Sequence, residues 1–130
     1  MARIRFISAS DLKSRLDRGE EFTVLDVLPP EHYAARHMPG ALNQCVYEVV
    51  FLDSVAALLP DRTRRVAVYS ASHRCQGAQD AAEKLISAGY EDVAVCQDGI
   101  EGWAQAGFPV EGHGGEELPD PSHLMPWAPL

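Results

Sequence analysis

A short segment near the middle of the chain limits the possible folds more than any other part. A β-branched run at residues 66–69 is followed by a small loop at 70–76 and then by a helical pattern. The predicted helix has its apolar side chains on one face: Ala78, Ala81, Ala82, Leu85 and Ile86. A strand that passes through such a loop into a helix is typical of α/β folds.

Strand and helix patterns alternate along the rest of the chain, which predicts an α/β fold with a parallel sheet. We expect strands at 3–7, 22–27, 66–69 and 92–96, a brief strand near Leu42, and helices at 11–18, 31–36, 48–59, from the loop to Gly89, and at 100–106. Ser8 or Ser10 can cap the first helix, and the strand 3–7 should lie at a sheet edge. The helix 48–59 has helical spacing at Val49, Leu52, Val55, Ala56 and Leu59.

The composition indicates one globular domain, at 1–112, followed by a tail at 113–130 that is rich in Gly, Pro and acidic residues. The net charge of −8 argues against non-specific binding of nucleic acid and against docking on an anionic membrane. The sequence has no apolar run of membrane-spanning length and no signal-peptide pattern, so the expected location is the cytoplasm. The tail should be extended or partly disordered, unless Leu124, Met125 and Trp127 pack onto the body.

The three cysteines, Cys45, Cys75 and Cys96, are widely spaced and fit reduced thiols better than a disulfide framework. No two of them have the spacing of a zinc site, so no metal is expected. Cys75 differs from the others because it lies in the loop, beside Arg74 and near His73. The N–H groups of such a loop, with the positive end of a helix behind them, can hold an anion or a thiolate.

Four segments, in this order, resemble the rhodanese family. They are residues 24–33 (Val-Leu-Asp-Val-Leu-Pro-Pro-Glu-His-Tyr), residues 36–43 (Arg-His-Met-Pro-Gly-Ala-Leu-Asn), the strand, loop and helix around Tyr69, and residues 97–110, which contain Trp103. The similarity covers most of the chain, from Ile4 to Glu111. One segment alone would be a weak signal, whereas four in the right order are specific.

The resemblance implies a five-stranded parallel sheet flanked by helices on both faces, with the active-site loop at the carboxyl end of the central strand. It also implies transfer of sulfane sulfur. A donor such as thiosulfate would load a cysteine as a persulfide, and a thiol or cyanide would accept the sulfur, without a cofactor. The expected partners are therefore a small sulfur-containing anion and a thiol acceptor, with a partner protein as an alternative.

The chain departs from the family pattern at the residue that normally reacts. The family's nucleophilic cysteine is the first residue of the loop, where this chain has Ser70, and a serine hydroxyl cannot store sulfane sulfur. The loop also looks longer than in the commonest rhodaneses. It resembles that of a subgroup with one cysteine at the start and another five residues on, and Cys75 matches the second. Leu28 stands where many active members carry an arginine.

These departures leave three hypotheses open. In the first, Cys75 is the nucleophile, and its loop binds the anion through Ala71, Ser72, His73, Arg74, Gln76 and Gly77. In the second, the domain is catalytically inactive, and the loop binds an anion or a partner protein or serves regulation. In the third, which is the least favoured, the loop performs phosphatase or arsenate-reductase chemistry, which needs cysteine first and arginine last.

Other polar residues and thiols near the loop have competing structural interpretations. Asp26 is expected to hold the turn 29–33 through hydrogen bonds, with a polar anchor at the mouth of the site as the alternative. His37 is expected to stabilise its turn and not to act as a base. Cys45 and Cys96 should be ordinary buried thiols, although Cys45 could act as a resolving cysteine. Trp103 matches the family tryptophan and should lie in the core.

Overall fold

The computed structural model describes residues 3–113, in which strands and helices alternate. The elements in chain order are β1 (Arg3–Ile7), α1 (Ala9–Asp17), β2 (Thr23–Asp26), α2 (Pro30–Ala35), β3 (Leu42–Asn43), α3 (Phe51–Leu58), β4 (Arg65–Tyr69), α4 (Gly77–Ser87), β5 (Asp92–Cys96) and α5 (Gly99–Gln105). The predicted tail beyond residue 113, including Leu124, Met125 and Trp127, lies outside the described residues.

The five strands form one parallel sheet in the order β1-β5-β4-β2-β3. This confirms the predicted five-stranded parallel sheet and the edge position of β1. β4 is the central strand, and its last residue, Tyr69, pairs with Asp26 of β2 on one side and with Cys96 of β5 on the other. The loop after β4 therefore leaves the middle of the sheet at its carboxyl edge, where open α/β sheets commonly bind ligands.

Helices cover both faces of the sheet, because its strands carry apolar side chains on both sides. One face packs against α3 and α4, and its core includes Phe51, Val55, Val68, Ala81 and Leu85. The other face packs against α1 and α5, and its core includes Leu12, Ala67, Ala94, Ile100 and Trp103. Trp103 is buried as predicted, and its Nε1–H donates to the carbonyl of Pro109 at 2.7 Å.

Several predicted boundaries shift by one to three residues. Ser8 caps α1 by accepting a hydrogen bond from the N–H of Asp11. The largest difference is at α3, which begins at Phe51 and not at residue 48, because residues 48–50 form turns. Val49 is consequently fully exposed, so its prediction as part of the apolar face of that helix was wrong. In the described range, no helix has both the length and the apolar character needed to cross a membrane.

Candidate active site

The loop after β4 folds back on itself through a tight turn. The N–H of Cys75 donates to the carbonyl of Ser72 at 3.0 Å, and the Ser72 hydroxyl accepts from the N–H of Arg74 at 3.3 Å. Serine favours such turns because its side chain can bond to the backbone two residues ahead. The turn returns Cys75 to the start of the loop, where Ser70 follows the central strand.

The base of the loop is fixed by the first turn of α5. The N–H groups of Ile100 and Glu101 donate to the carbonyls of Ser70 and Ala71, at 3.0 and 2.9 Å. Gly99 makes this approach possible, since its φ is +68° and an added Cβ would lie 2.6 Å from the Ser72 nitrogen. A side chain there would be strained and would also collide with the loop backbone.

The sulfur of Cys75 lies against two hydroxyl groups. Its Sγ is 2.8 Å from the Oγ of Ser70 and 3.6 Å from the hydroxyl of Tyr47. Only 9% of Cys75 is exposed to solvent. The thiol therefore turns inward, towards the first residue of the loop, instead of projecting from the surface.

Gly77, the first residue of α4, lies directly beside this group. A Cβ added there would lie 3.0 Å from the Tyr47 hydroxyl, 3.1 Å from the Ser70 Oγ and 3.6 Å from the Cys75 Sγ. The helix begins after Gln76, which makes no side-chain capping hydrogen bond. The positive end of the α4 dipole is thus next to the thiol, where it favours negative charge.

A small cavity of about 50 Å³ opens beside the thiol. Its polar lining consists of Ser70, Ser72, His73, Gln76, Gln79 and Gln97, and Cys75 and Cys96 also border it. None of its described lining residues is a lysine, an arginine or an acid. The volume accommodates a few water molecules or the end of a small sulfur compound.

The two predicted cationic groups of the loop take different positions. His73 is exposed and borders the cavity. Arg74 points away towards α5, where its guanidinium is 3.8 Å from the carboxylate of Glu101, and its side chain is 68% exposed. Arg74 is therefore not an oxyanion clamp in this arrangement, which leaves the phosphatase-like hypothesis without the arginine that it requires.

Asp26 is fully buried at the end of β2, and only part of its hydrogen-bonding capacity is used. Its Oδ1 accepts from the N–H of Leu28 at 2.8 Å, while Oδ2 has no hydrogen-bond partner among the described residues. Burial raises the pKa of this carboxyl to about 6, against the opposing effects of the Tyr69 hydroxyl and the Leu28 N–H. The turn 29–33 is closed by the carbonyl of Pro29, which accepts from the N–H groups of His32 and Tyr33. Asp26 accepts from Leu28, the residue before the turn, and not, as predicted, from the turn itself.

His37 lies in the connection between α2 and β3 and is not among the residues that line the cavity. Its Nδ1 is 2.7 Å from the carbonyl of Tyr33, and the two rings stack at 3.9 Å. Its backbone forms an antiparallel bridge with Glu111. Leu28, which stands at the position of the family arginine, is buried in the core on the α1 and α5 side of the sheet.

All three cysteines are buried free thiols, but their surroundings differ. Burial raises the pKa of Cys45, and it raises the pKa of Cys96 to about 12, with Asp98 adding to the effect. Across the described residues 3–113, no group of three or more His, Cys, Asp or Glu side chains is placed to hold a metal ion.

Tyr47, Gln79 and Gln97 belong to the site, although the sequence patterns did not indicate them. Tyr47 lies in the connection between β3 and α3, and its sequence signal was its proximity to Cys45, the cysteine considered as a possible resolving thiol. Burial and the neighbouring Cys75 raise the pKa of the Tyr47 hydroxyl well above its usual value. This phenol consequently remains protonated at neutral pH.

Comparison with known proteins agrees with this fold. A sequence model of the rhodanese-like domain family matches residues 8–106. The solution structure of a rhodanese-like domain from Anabaena superposes with a TM-score of 0.72 at 32% identity, covering 87% of this chain and 83% of that one. A thiosulfate sulfurtransferase from Pseudomonas aeruginosa superposes with a TM-score of 0.71 at 27% identity, covering 92% of this chain and 23% of the enzyme.

One curated relative is a regulator. An HTH-type transcriptional regulator of Mycobacterium tuberculosis is 37% identical over 113 residues, which are 83% of this chain and 47% of the regulator. The chain thus spans about half the length of that protein.

Proposed function

Because the chain belongs to the rhodanese-like domain family, we propose that it accepts sulfane sulfur and passes it on through a persulfide on Cys75. The observation that carries the proposal is the 2.8 Å contact between the Cys75 Sγ and the Ser70 Oγ. The family resemblance puts the reactive group at the first position of the loop. A thiol in contact with that position can use the same cavity and the same helix end.

The proposed reaction is a pair of sulfur transfers that needs no external oxidant. The Cys75 thiolate attacks the outer sulfur of the donor, a Cys75 S–S bond forms, and the donor's S–S bond breaks. Sulfite or a thiolate leaves with the electron pair. An acceptor thiolate or cyanide then attacks the outer sulfur of the persulfide, and the Cys75 thiolate leaves and is restored.

The lining of the cavity bears on the choice of sulfur donor. Its described polar groups are hydroxyls, amides and one imidazole, with no fixed positive charge, while Arg74 is paired with Glu101. Uncharged hydrogen-bonding groups stabilise a doubly charged anion such as thiosulfate less than an arginine side chain would. Both thiosulfate and an uncharged hydropersulfide should therefore be tested as donors.

Cyanolysis tests the proposal directly. The protein is incubated with each donor, desalted and treated with cyanide, and the thiocyanate released per protein is measured. We expect release from the wild type, from Cys96→Ser and from Ser70→Ala, and none from Cys75→Ser. Unchanged release from Cys75→Ser would overturn the proposal, as would absence of release from a folded wild-type protein with both donors.

A regulatory or binding role is the second candidate. The observations that favour it are the serine at the first loop position and the 37% identity to half of a transcriptional regulator. In that role the loop binds an anion without turnover. A rise in melting temperature with thiosulfate, lost in Gly77→Ala, together with no sulfur loading, would favour this candidate over the first. An unchanged melting temperature with thiosulfate would exclude the version of this candidate in which the loop binds an anion.

A further inference from the structure

The hydroxyl of Tyr47 reaches the candidate nucleophile from a separate part of the chain. Tyr47 lies 28 residues before Cys75, in the connection between β3 and α3, and its hydroxyl is 3.6 Å from the Cys75 Sγ. Together with Ser70 it gives the sulfur two hydroxyl neighbours. The family resemblance assigned no role to Tyr47.

We propose that Tyr47 donates a hydrogen bond to the Cys75 sulfur and, with Ser70, stabilises the thiolate and thereby sets the pH range in which it reacts. The effect of Tyr47 on sulfur transfer rests on the proposed function, whereas its effect on the thiol does not. A hydrogen bond to a charged sulfur is stronger than one to a neutral thiol, so the contact favours the reactive form.

The direction of this hydrogen bond follows from the surroundings of the phenol. Burial and the neighbouring Cys75 raise the pKa of Tyr47 well above its usual value, so the phenol keeps its proton when Cys75 loses its own. A thiolate has no proton to give, so the phenol is the donor. Tyr47 is itself half-buried, which strengthens the bond by limiting competition from water.

Gly77 supplies a second, independent observation. Its backbone does not have the positive φ that favours glycine, so conformation does not require a glycine here. The available space favours glycine, because an added Cβ would lie 3.0 Å from the Tyr47 hydroxyl and 3.1 Å from the Ser70 Oγ, and both hydroxyls would have to move by a few tenths of an ångström. The start of α4 thus leaves room for both hydroxyls beside the sulfur.

The test is the pH profile of Cys75 alkylation by iodoacetamide, followed by peptide mass spectrometry so that the three thiols are counted separately. The variant Tyr47→Phe keeps the ring and removes the hydroxyl. We expect the midpoint of its alkylation profile to move up by about half to one pH unit, so that alkylation below the midpoint is about threefold to tenfold slower. The plateau at high pH, where all Cys75 is ionised, should not fall. A purely steric role of Tyr47 would change the plateau and leave the midpoint in place.

Tyr33→Phe is the matched control. Tyr33 is also half-buried, and its hydroxyl donates to the carbonyl of Ala41 at 2.6 Å, away from the cavity lining. The midpoint of Cys75 alkylation in Tyr33→Phe should equal that in the wild type. An unmoved midpoint in folded Tyr47→Phe, or an equal shift in Tyr33→Phe, would overturn the inference. If Tyr47→Phe does not fold, Gly77→Ala should shift the midpoint upward by displacing the hydroxyls, and an unmoved midpoint there would equally overturn it.

This readout separates the two proposals, because alkylation needs no sulfur donor. A shifted midpoint in a protein that does not take up sulfur would overturn the proposed function and support the role of Tyr47. Normal sulfur uptake together with an unmoved midpoint in Tyr47→Phe would support the proposed function and overturn the role of Tyr47.

Discussion

Cys75 and Cys96 are two buried thiols on the border of one cavity, yet their surroundings are chemically opposite. Cys75 contacts two hydroxyls beside the start of α4. Cys96 is the last residue of β5, only 1% exposed, and belongs to the apolar core that α1 and α5 cover. Their comparison predicts that burial alone does not decide whether a thiol reacts, because polar neighbours can offset the cost of the charge.

The largest expected effect is the difference in reactivity between these two thiols. A thiol with a pKa of about 12, such as Cys96, is ionised in only about one molecule in ten thousand at pH 8. We therefore expect iodoacetamide to modify Cys75 at least about 100-fold faster than Cys96 in the native protein. Peptide mass spectrometry over time measures both rates in one sample. In urea the two rates should converge, and equal rates in the native protein would break the comparison.

The next effect concerns Gly99, which lies between β5, where Cys96 ends the strand, and the loop that contains Cys75. Gly99 follows Cys96 by three residues and touches the loop backbone at Ala71 and Ser72. Gly99→Ala should lower the free energy of unfolding by about 2–4 kcal/mol, since it combines a positive φ with a collision against backbone atoms. Urea unfolding measures the loss.

Gly107→Ala is the control for backbone conformation alone. Gly107 has a φ of +84° and no atom within 4 Å of an added Cβ. Its replacement should cost only about 1–2 kcal/mol, the price of the left-handed conformation. A loss in Gly99→Ala no larger than this would show that the loop does not depend on close contact with α5.

The smallest effect extends the comparison to a buried acid at the same sheet edge. The folded pKa of Asp26, about 6, lies above its ordinary value of 3.8, so the folded state binds the proton more tightly than the unfolded state. The resulting stability is fully present below about pH 4 and is lost as the pH rises through about 6. Asp26→Asn keeps an acceptor for the N–H of Leu28 and removes the charge. At pH 7 it should be more stable by about 1–2 kcal/mol.

Thermal or urea unfolding between pH 4 and pH 7 tests this expectation. The decline in wild-type stability with rising pH should become smaller in the variant, over that window only. A variant that is less stable than the wild type at pH 7, with the same pH dependence, would show that the charged carboxylate is compensated by its neighbours.

The sequence predicted the parts of the structure that depend on local periodicity and on the order of motifs. The alternation of strands and helices located β4, the loop and α4, and placed Cys75 two residues before the helix. The start of the predicted helix at 48–59 was located less well. Its apolar spacing continues into residues 48–50, where the chain forms turns and leaves Val49 in solvent.

The sequence did not predict which groups surround the thiol. The inward direction of Cys75 follows from the turn closed by Ser72, and the approach of Tyr47 follows from how the connection before α3 packs against α4. Contacts between residues 28 positions apart depend on tertiary packing, for which a periodic pattern gives no signal. The space left by Gly77 is visible only once both hydroxyls are in place.

The central claim is that Cys75, and not the serine at the first loop position, carries the sulfur. The most direct measurement is mass spectrometry of the intact protein and of its peptides after incubation with thiosulfate or a hydropersulfide. We predict a gain of one sulfur atom on the peptide containing Cys75, in the wild type and in Cys96→Ser, and no gain in Cys75→Ser. A sulfur atom that persists in Cys75→Ser, or no gain in the folded wild type with either donor, would contradict the account.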